Sequence, residues 1–342
     1  MPHKLSLVVP GLCGPIPTLD GFEASARPLL ELLRPLRKQK ISAADEAELL
    51  ADLFGLSIHS PFPYAALASL SYGLDSGDDC WLHADPVNLQ VDMQRAVLSD
   101  AQTLGIRDHE AEKLVEQINS HFTEDGLSVT MADANNWFMQ LDNCDLRTTP
   151  LKQAVGRNIN ALLPTGAGAA TWKRILTEIQ MLMHMSDVNQ QREQGGLPAI
   201  NSLWFWGEGR LPRPGNCDLR HVYADDAVTA GLAQLGRIDH STLTDPLVLA
   251  YTMKHDGHSL VSLQQLVEPL SYADVTAWLE AMRELVEDWL KPLIGTARSL
   301  DSDVSIYPCN GLRYHLGQNN KFELSKLMFW KKDRLQDYVD TQ

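Results

Sequence analysis

The chemistry this chain could do is concentrated in INSLWFWGEGRLP (200–212), where an apolar run meets two glycines around a glutamate, followed by an arginine. Gly207 and Gly209 permit close backbone approach to a ligand, and Arg210 carries a planar fork of donors suited to carboxylate or phosphate. Glu208 opposes an anion, which gives the same loop a second reading: a tight turn closed by a Glu208–Arg210 ion pair. Other polar sets are less pointed. His83 and Asp85 stand two apart on an expected strand and share a face, where a histidine hydrogen-bonded at a strand end before Pro86 is the simpler reading. His255, Asp256 and His258 in KHDGHS have ligand-type side chains, but so local a run fits a solvated turn better than a metal centre built from converging ligands. His184 falls on an apolar helix and is expected to be buried and hydrogen-bonded. These residues indicate no metal site and no cofactor.

The elements that must position the glycine loop follow from periodicity. In a strand, Trp204 and Trp206 share one face and Phe205 takes the other, so SLWFW is expected to be central and covered on both sides. Ligands of open α/β sheets sit beyond the carboxyl ends of strands, where Trp206, Gly207, Glu208, Gly209 and Arg210 would fall. LSLVV near the start has the β-branched content of a buried strand, and Leu29, Leu30, Leu32, Leu33 and Leu36 cluster as on a helix. AADEAELLADLFGL is a second helix, with early acids at its positive end. From Trp81 the texture changes. WLHADPVNLQV, RAVLSD, the helix RDHEAEKLVEQINSHF, LSVTMAD and WFMQLD form a ββαββ unit. TWKRILTEIQMLMHM is the clearest helix, ADDAVTAGLAQLG and YADVTAWLEAMRELVEDWLKPLI add more, and Asn310-Gly311 suits a type I′ hairpin turn. The expected fold is α/β, a mainly parallel sheet core flanked by helices over 1–75 and 165–342, with a small α+β insert at 76–164. LSLVV and SLWFW are expected in one sheet.

Composition narrows the function classes. With 342 residues, 44% of them hydrophobic, the chain can bury a large core. Its formal net charge of −15 repels nucleic acid and anionic membrane. The basic-aromatic KLMFWKKDR near the C-terminus reads as a docking terminal helix with lysines in water. The five cysteines are scattered, odd in number and lack a C-x-x-C pair, so they read as reduced thiols. No apolar run approaches the roughly 18 to 20 residues that span a bilayer, LSLVV is shorter than a signal-peptide apolar region, and a cytoplasmic protein is expected.

INSLWFWGEGRLP resembles the N-x-x-x-x-W-G-x-G-x-x-P segment of archaeal-type cofactor-independent phosphoglycerate mutases. The preceding SDVNQQREQGGLPAIN resembles their H-P-V-N-x-x-R-x-x-x-G-K-x-x-A-N. Over most of its length the chain also resembles bacterial RpfE-type regulatory proteins, through WLHADPV, EIQML, NSLWFWGEGRLP and FWKK. The mutase resemblance implies an alkaline-phosphatase-like core with an inserted domain. It also implies that Asn189, Arg192 and Asn201 adjoin the glycine loop as ligand-binding residues. Mutases of this family use a serine nucleophile beside two metals held by aspartates and histidines. Where the family has D-G-x-x-D this chain has VVPGLCG, with Pro10 and Gly14 at the acids' places, and Tyr64 stands near the place of the serine, Ser60 and Ser69 matching it only if the spacing slips. The late D-E-x-G-H and D-H motifs are absent from SLVSLQQLVEPLSYADV. The resemblance therefore implies a non-catalytic, regulatory or binding protein for an anionic metabolite or a protein partner. The alternative is an active metal-dependent mutase or phosphotransferase using another site.

Overall fold

A computed structural model describes residues 3–14, 22–57, 61–74, 77–91, 96–247, 249 and 257–317. The chain divides into two compact units, Met1–Ser57 with Pro214–Gln342, and Ile58–Arg213. Among the described residues no helix is long and apolar enough to cross a membrane.

The first unit is built on a seven-stranded sheet. β1 (Lys4–Val8) alternates, sending Leu5 and Leu7 to one face and Lys4 and Ser6 to the other. It pairs in parallel with β12 (His258–Ser262) and β13 (Asp303–Tyr307), with Leu7 opposite both Val261 and Ile306. β10 (Leu219–Tyr223) and β11 (Asp239–Ser241) extend the parallel part beyond β12. β14 (Leu312–Leu316) and β2 (Arg37–Lys40) close the other edge in antiparallel pairing. The expected mainly parallel α/β sheet is thus the one found. Its apolar face, including Leu5, Leu7, Val261, Val304, Ile306 and Tyr314, is buried with Leu29 and Leu33 of the helix Arg27–Leu33 and with Trp278, Met282 and Ile294. The last three come from the helices Val275–Glu284 and Lys291–Ser299, joined by the π-helical turn Leu285–Leu290. β2 reads RKQK, charges that keep an exposed edge from pairing with another chain.

The second unit holds β3 (Cys80–Val91), which pairs along one edge with β4 (Ala96–Ser99) and β6 (Trp137–Leu141), β5 (Val129–Met131) lying beyond β6. Along its other edge β3 pairs in antiparallel with β9 (Ser202–Gly209). SLWFW therefore belongs to this sheet and not with LSLVV, which corrects the expected arrangement. The boundaries expected at 76 and 164 move out to 58 and 213 for the same reason. The helices Ala169–Met185 and Asp187–Gln194 go with β9, since Ile175, Ile179, Met183 and Val188 bury with Leu203, Phe205 and the helix Asp108–Phe122.

Three local readings also change. Cys80 and Cys144 form a disulfide, with Cα atoms 5.7 Å apart, while Cys13, Cys217 and Cys309 remain thiols. Pairing of Cys80 with Leu141 across β3 and β6 brings the residue three further on back to Cys80, which a separation of 64 residues hides. The β13–β14 hairpin exists, but the positive backbone angles are at Cys309 (φ 62°) and Gly311 (φ 82°), so its turn is longer than a two-residue I′ turn. His184 is exposed, because Ile175, Ile179 and Met183 define the buried face of its helix. The KLMFWKKDR segment lies outside the described residues.

Candidate functional site

The β3/β9 pairing puts His83 opposite Trp206 and Asp85 opposite Trp204, so all four share the face of the sheet turned away from the apolar cluster of Leu82, Ala84, Leu203 and Phe205. His83 and Asp85 are each only 3% exposed. The imidazole stacks on the Trp206 indole, with ring centres 4.2 Å apart and planes 7° from parallel, and meets Phe138 at 4.5 Å. Asp85 is held three ways. Its Oδ2 accepts from Trp206 Nε1 at 2.7 Å, and its Oδ1 accepts from Trp137 N at 3.2 Å and lies 3.3 Å from His83 Nδ1. A carboxylate only accepts, so the Nδ1 proton of His83 faces Asp85 and Nε2 is the outward nitrogen. That Nε2 is buried and makes no hydrogen bond among the described residues. The simple reading of a satisfied histidine therefore holds for one nitrogen only.

The glycine loop meets this ring edge. Gly207 has φ 71°, in the left-handed region, and a Cβ there would lie 2.9 Å from Tyr64 Cβ, 3.2 Å from Ala65 N and 3.5 Å from His83 Cδ2. Gly207 thus touches both His83 and the first turn of the helix Tyr64–Ser71, whose N-cap Pro63 offers no side-chain hydrogen bond. A Cβ on Gly209 would lie 2.5 Å from Pro63 Cβ. Thr148 closes the loop. Its hydroxyl accepts from Gly207 N at 3.1 Å and donates to Glu208 Oε2, while its N–H donates to Glu208 Oε1 at 3.3 Å. Glu208 is 2% exposed, and this burial raises its pKa despite the hydrogen bonds from Thr148.

The expected Glu208–Arg210 pair is replaced by two separate attachments. Arg210 donates Nη1 to the Asp78 carbonyl and Nη2 to the Asp142 carbonyl, the latter at 2.6 Å. Both acceptors lie two residues before a half of the Cys80–Cys144 disulfide, so the guanidinium and the disulfide fasten the same two chain segments.

Asn189, Arg192 and Asn201 gather at the opposite end of β9. Asn189 Nδ2 donates to the Met183 and Ile200 carbonyls at 2.7 and 2.8 Å, and its Oδ1 accepts from Ile200 N at 2.7 Å. Arg192, 1% exposed, donates to the Pro198 and Leu104 carbonyls and to Glu110 Oε2 at 2.8 Å. Asn201 exchanges both of its amide bonds with the backbone of Leu89, continuing the β3/β9 ladder by one side chain. Arg210 lies nine positions beyond Asn201 along extended chain, about 30 Å at ~3.3 Å per residue. The structure therefore brings Trp206, Gly207, Glu208 and Gly209 together with His83, Tyr64 and Thr148. It leaves Asn189, Arg192 and Asn201 as the scaffold of the far end. Tyr64 and Thr148 carried no signal as site residues beyond the first one's alignment near a serine.

In the first unit, the carboxyl end of β1 is packed with apolar groups. A Cβ on Gly11 would lie 2.1 Å from Leu270 Cδ1, one on Gly14 would lie 2.7 Å from Trp278 Cζ2, and Trp278 Nε1 donates to the Gly11 carbonyl at 3.0 Å. Cys13 is buried there, and desolvation pushes its thiol up to about 12. Among the described residues, no three His, Cys, Asp or Glu side chains are grouped to hold a metal ion. His255 and Asp256 lie outside the described residues.

The fold is a mixed α/β one with a mainly parallel central sheet, and it is shared with a solved structure, the PH0037 protein from Pyrococcus horikoshii. That likeness has a TM-score of 0.53 at 17% identity, covering 93% of this chain and 88% of that one. No family model matches the chain. In sequence it is similar to the probable 2,3-bisphosphoglycerate-independent phosphoglycerate mutase of Geobacter sulfurreducens, 27% identical over 173 residues, which are 48% of this chain and 43% of that enzyme. It is also similar to the 2,3-bisphosphoglycerate-independent phosphoglycerate mutase of Methanosarcina barkeri, 24% identical over 126 residues, 36% of this chain and 32% of that enzyme. The matches span less than half the length of these relatives. The relationship to phosphoglycerate mutases is thus one of low identity.

Proposed function

We propose that this chain is a phosphoglycerate-mutase-like binding protein, of the RpfE-type regulatory kind its motifs resemble, that recognises an anionic metabolite in the cytoplasm without transferring phosphoryl groups. The observation that carries the reading is the carboxyl end of β1. Pro10 and Gly14 stand where the mutases have metal-binding acids, and Leu270 and Trp278 fill the space beside Gly11 and Gly14. Proline and glycine have no side-chain donor, so these residues do not fit a two-metal centre, and no step is derived through one. The binding site of the proposal is the Gly207 loop. His83 Nε2 is buried and unpartnered there, Gly207 admits close backbone approach, and Arg210 follows three residues on. Asp85 holds Nδ1 and so turns Nε2 toward the loop as the ring's polar atom for a ligand.

The second reading, an active metal-dependent mutase, draws on the names of the sequence relatives. Elemental analysis of purified protein with a coupled assay for interconversion of 2- and 3-phosphoglycerate separates the two. The binding reading expects no stoichiometric metal and no turnover, together with saturable calorimetric binding of a phosphorylated or carboxylated metabolite that is lost in His83→Ala. About two bound divalent ions per chain with metal-dependent turnover would establish the enzyme instead. A protein partner in place of the metabolite would leave calorimetry with small anions flat.

A further inference from the structure

The first unit holds a second set of reactive groups, at the end of the sheet opposite the apolar plug. The amino-terminal half of the parallel sheet gathers Ser6 from the middle of β1, His258 at the start of β12, and Asp218 directly before β10. His258 Nε2 lies 2.8 Å from Ser6 Oγ, and His258 Nδ1 lies 2.6 Å from Asp218 Oδ1. The carboxylate accepts from Nδ1–H, which fixes the tautomer and leaves the Nε2 lone pair to accept from the Ser6 hydroxyl. Lys4, on the same face of β1 as Ser6, donates to Asp218 Oδ2 at 2.5 Å. Partial burial works to raise the Asp218 pKa, but the hydrogen bonds from Lys4 and His258 outweigh it and hold the group at about 2. Serine, imidazole and ionised carboxylate are thus linked in the order that acyl-transfer enzymes of unrelated folds use.

The same face indicates what the set would act on. Ser6 is in register with Ser305 of β13, Ser305 with His315 of β14, and His315 with Arg37 of β2. Arg313 donates Nε to Ser305 Oγ at 3.0 Å. With strands ~4.8 Å apart, the cationic Arg313 and Arg37 stand about 10 to 14 Å from Ser6. Other charged groups of the face are Lys4 and Asp303, which pair in register at its rim, and Asp226, which accepts from Ser262 Oγ at 2.8 Å at its carboxyl end. Ser6 is only 3% exposed, so the reacting group must be slender.

We propose that Ser6 and His258, positioned by Asp218, hydrolyse esters of a small acyl group that carry an anionic substituent. Ser6 Oγ attacks the ester carbonyl while its proton passes to His258 Nε2. The C–O bond to the alcohol then breaks and the alcohol leaves with that proton. Water, deprotonated by the same Nε2, attacks the acyl-serine, releases the acid and restores the Ser6 hydroxyl.

The test is covalent labelling of the full chain with phenylmethanesulfonyl fluoride, read by peptide mass spectrometry and as a rate at several pH values. A sulfonyl adduct on Ser6 is expected, absent from Ser6→Ala, with a rate that rises along a single titration to a plateau. In His258→Gln and in Asp218→Asn the rate should fall roughly a hundredfold or more, as loss of the base or of its orienting carboxylate does in serine hydrolases. Asp218 lies at the surface, so its asparagine variant keeps the fold if the His258 variant does not. No Ser6 adduct on the wild-type chain, or an unchanged rate and pH profile in Asp218→Asn, would overturn the proposal and show a purely structural hydrogen-bond chain.

Discussion

Glu208 and Asp218 are both carboxyl groups at strand ends, yet their surroundings drive them in opposite directions. Burial raises Glu208, whose nearest partners are the hydroxyl and N–H of Thr148. A folded-state pKa above the unfolded value means that its contribution to stability is full below the ordinary carboxylate range and is lost as pH rises through the folded pKa. Glu208→Gln keeps an acceptor for Thr148 N–H and removes the buried charge. The variant should therefore gain stability relative to the wild type between pH 4.5 and pH 8, measured by urea midpoints at both; parallel midpoints would show that Glu208 is not desolvated. Asp218 behaves the other way. Its pKa is depressed to about 2 from 3.8, so its contribution is present above 3.8 and is lost as pH falls through about 2. Because its side chain is 55% exposed, solvent screening limits that contribution to about 1 kcal/mol or less. Asp218→Asn should lower the unfolding free energy by up to that amount at pH 6, and the difference should vanish near pH 2.

At the scale of elements, the far end of β9 is held by one buried ion pair. Arg192 on the helix Asp187–Gln194 reaches Glu110 on the helix Asp108–Phe122, with side chains 1% and 9% exposed. Removing one partner of such a pair leaves an uncompensated buried charge, so Arg192→Ala should cost about 3 to 5 kcal/mol by denaturant titration. A loss below about 1 kcal/mol would place the pair in solvent. Gly207→Ala should also destabilise, by about 1 to 2 kcal/mol for the left-handed backbone alone, with Tyr64 Cβ adding a clash. Most helices were legible because their apolar spacing is local: Leu114, Val115, Ile118 and Phe122 mark one face without knowledge of any neighbour. The ββαββ strands were legible for the same reason. The partner of β9 was not, since Trp204, Phe205 and Trp206 announce a strand covered on both faces in whatever sheet it joins. β2, reading RKQK, was missed because an edge strand has no apolar pattern, and β12 because HDGHS looks like a turn. Of the site, the glycine loop was visible in its residue types. Thr148 reaches Gly207 and Glu208 from about 60 residues away in the chain, and only the fold reveals it.

For the whole molecule, the cysteines and the chain crossings give separate tests. Of five cysteines two are paired, so alkylation in denaturant without reductant should label three, and five after reduction; five in both would remove the Cys80–Cys144 bond. The segment Ile58–Arg213 leaves and re-enters the first unit at adjacent points. A Cβ on Gly55 would lie 2.3 Å from the Asn216 carbonyl oxygen, and one on Gly215 would lie 2.3 Å from the Gly55 carbonyl oxygen. Two backbones in contact at that place need only a short turn to connect them. The first unit has its own seven-stranded sheet and its own apolar cluster, from Leu5 to Leu316, with no member, among the described residues, drawn from 58–213. A core of that kind is what lets a domain fold alone. Replacing 58–213 by a short glycine-serine linker should therefore leave a soluble protein that unfolds in one cooperative transition. Its near-ultraviolet circular dichroism should be sharp, since Trp278, Trp289 and Tyr314 belong to the retained core. A non-cooperative, dye-binding product would mean that the first unit depends on the segment removed, and that the sequence gap between β2 and β10 is a folding requirement rather than an insertion.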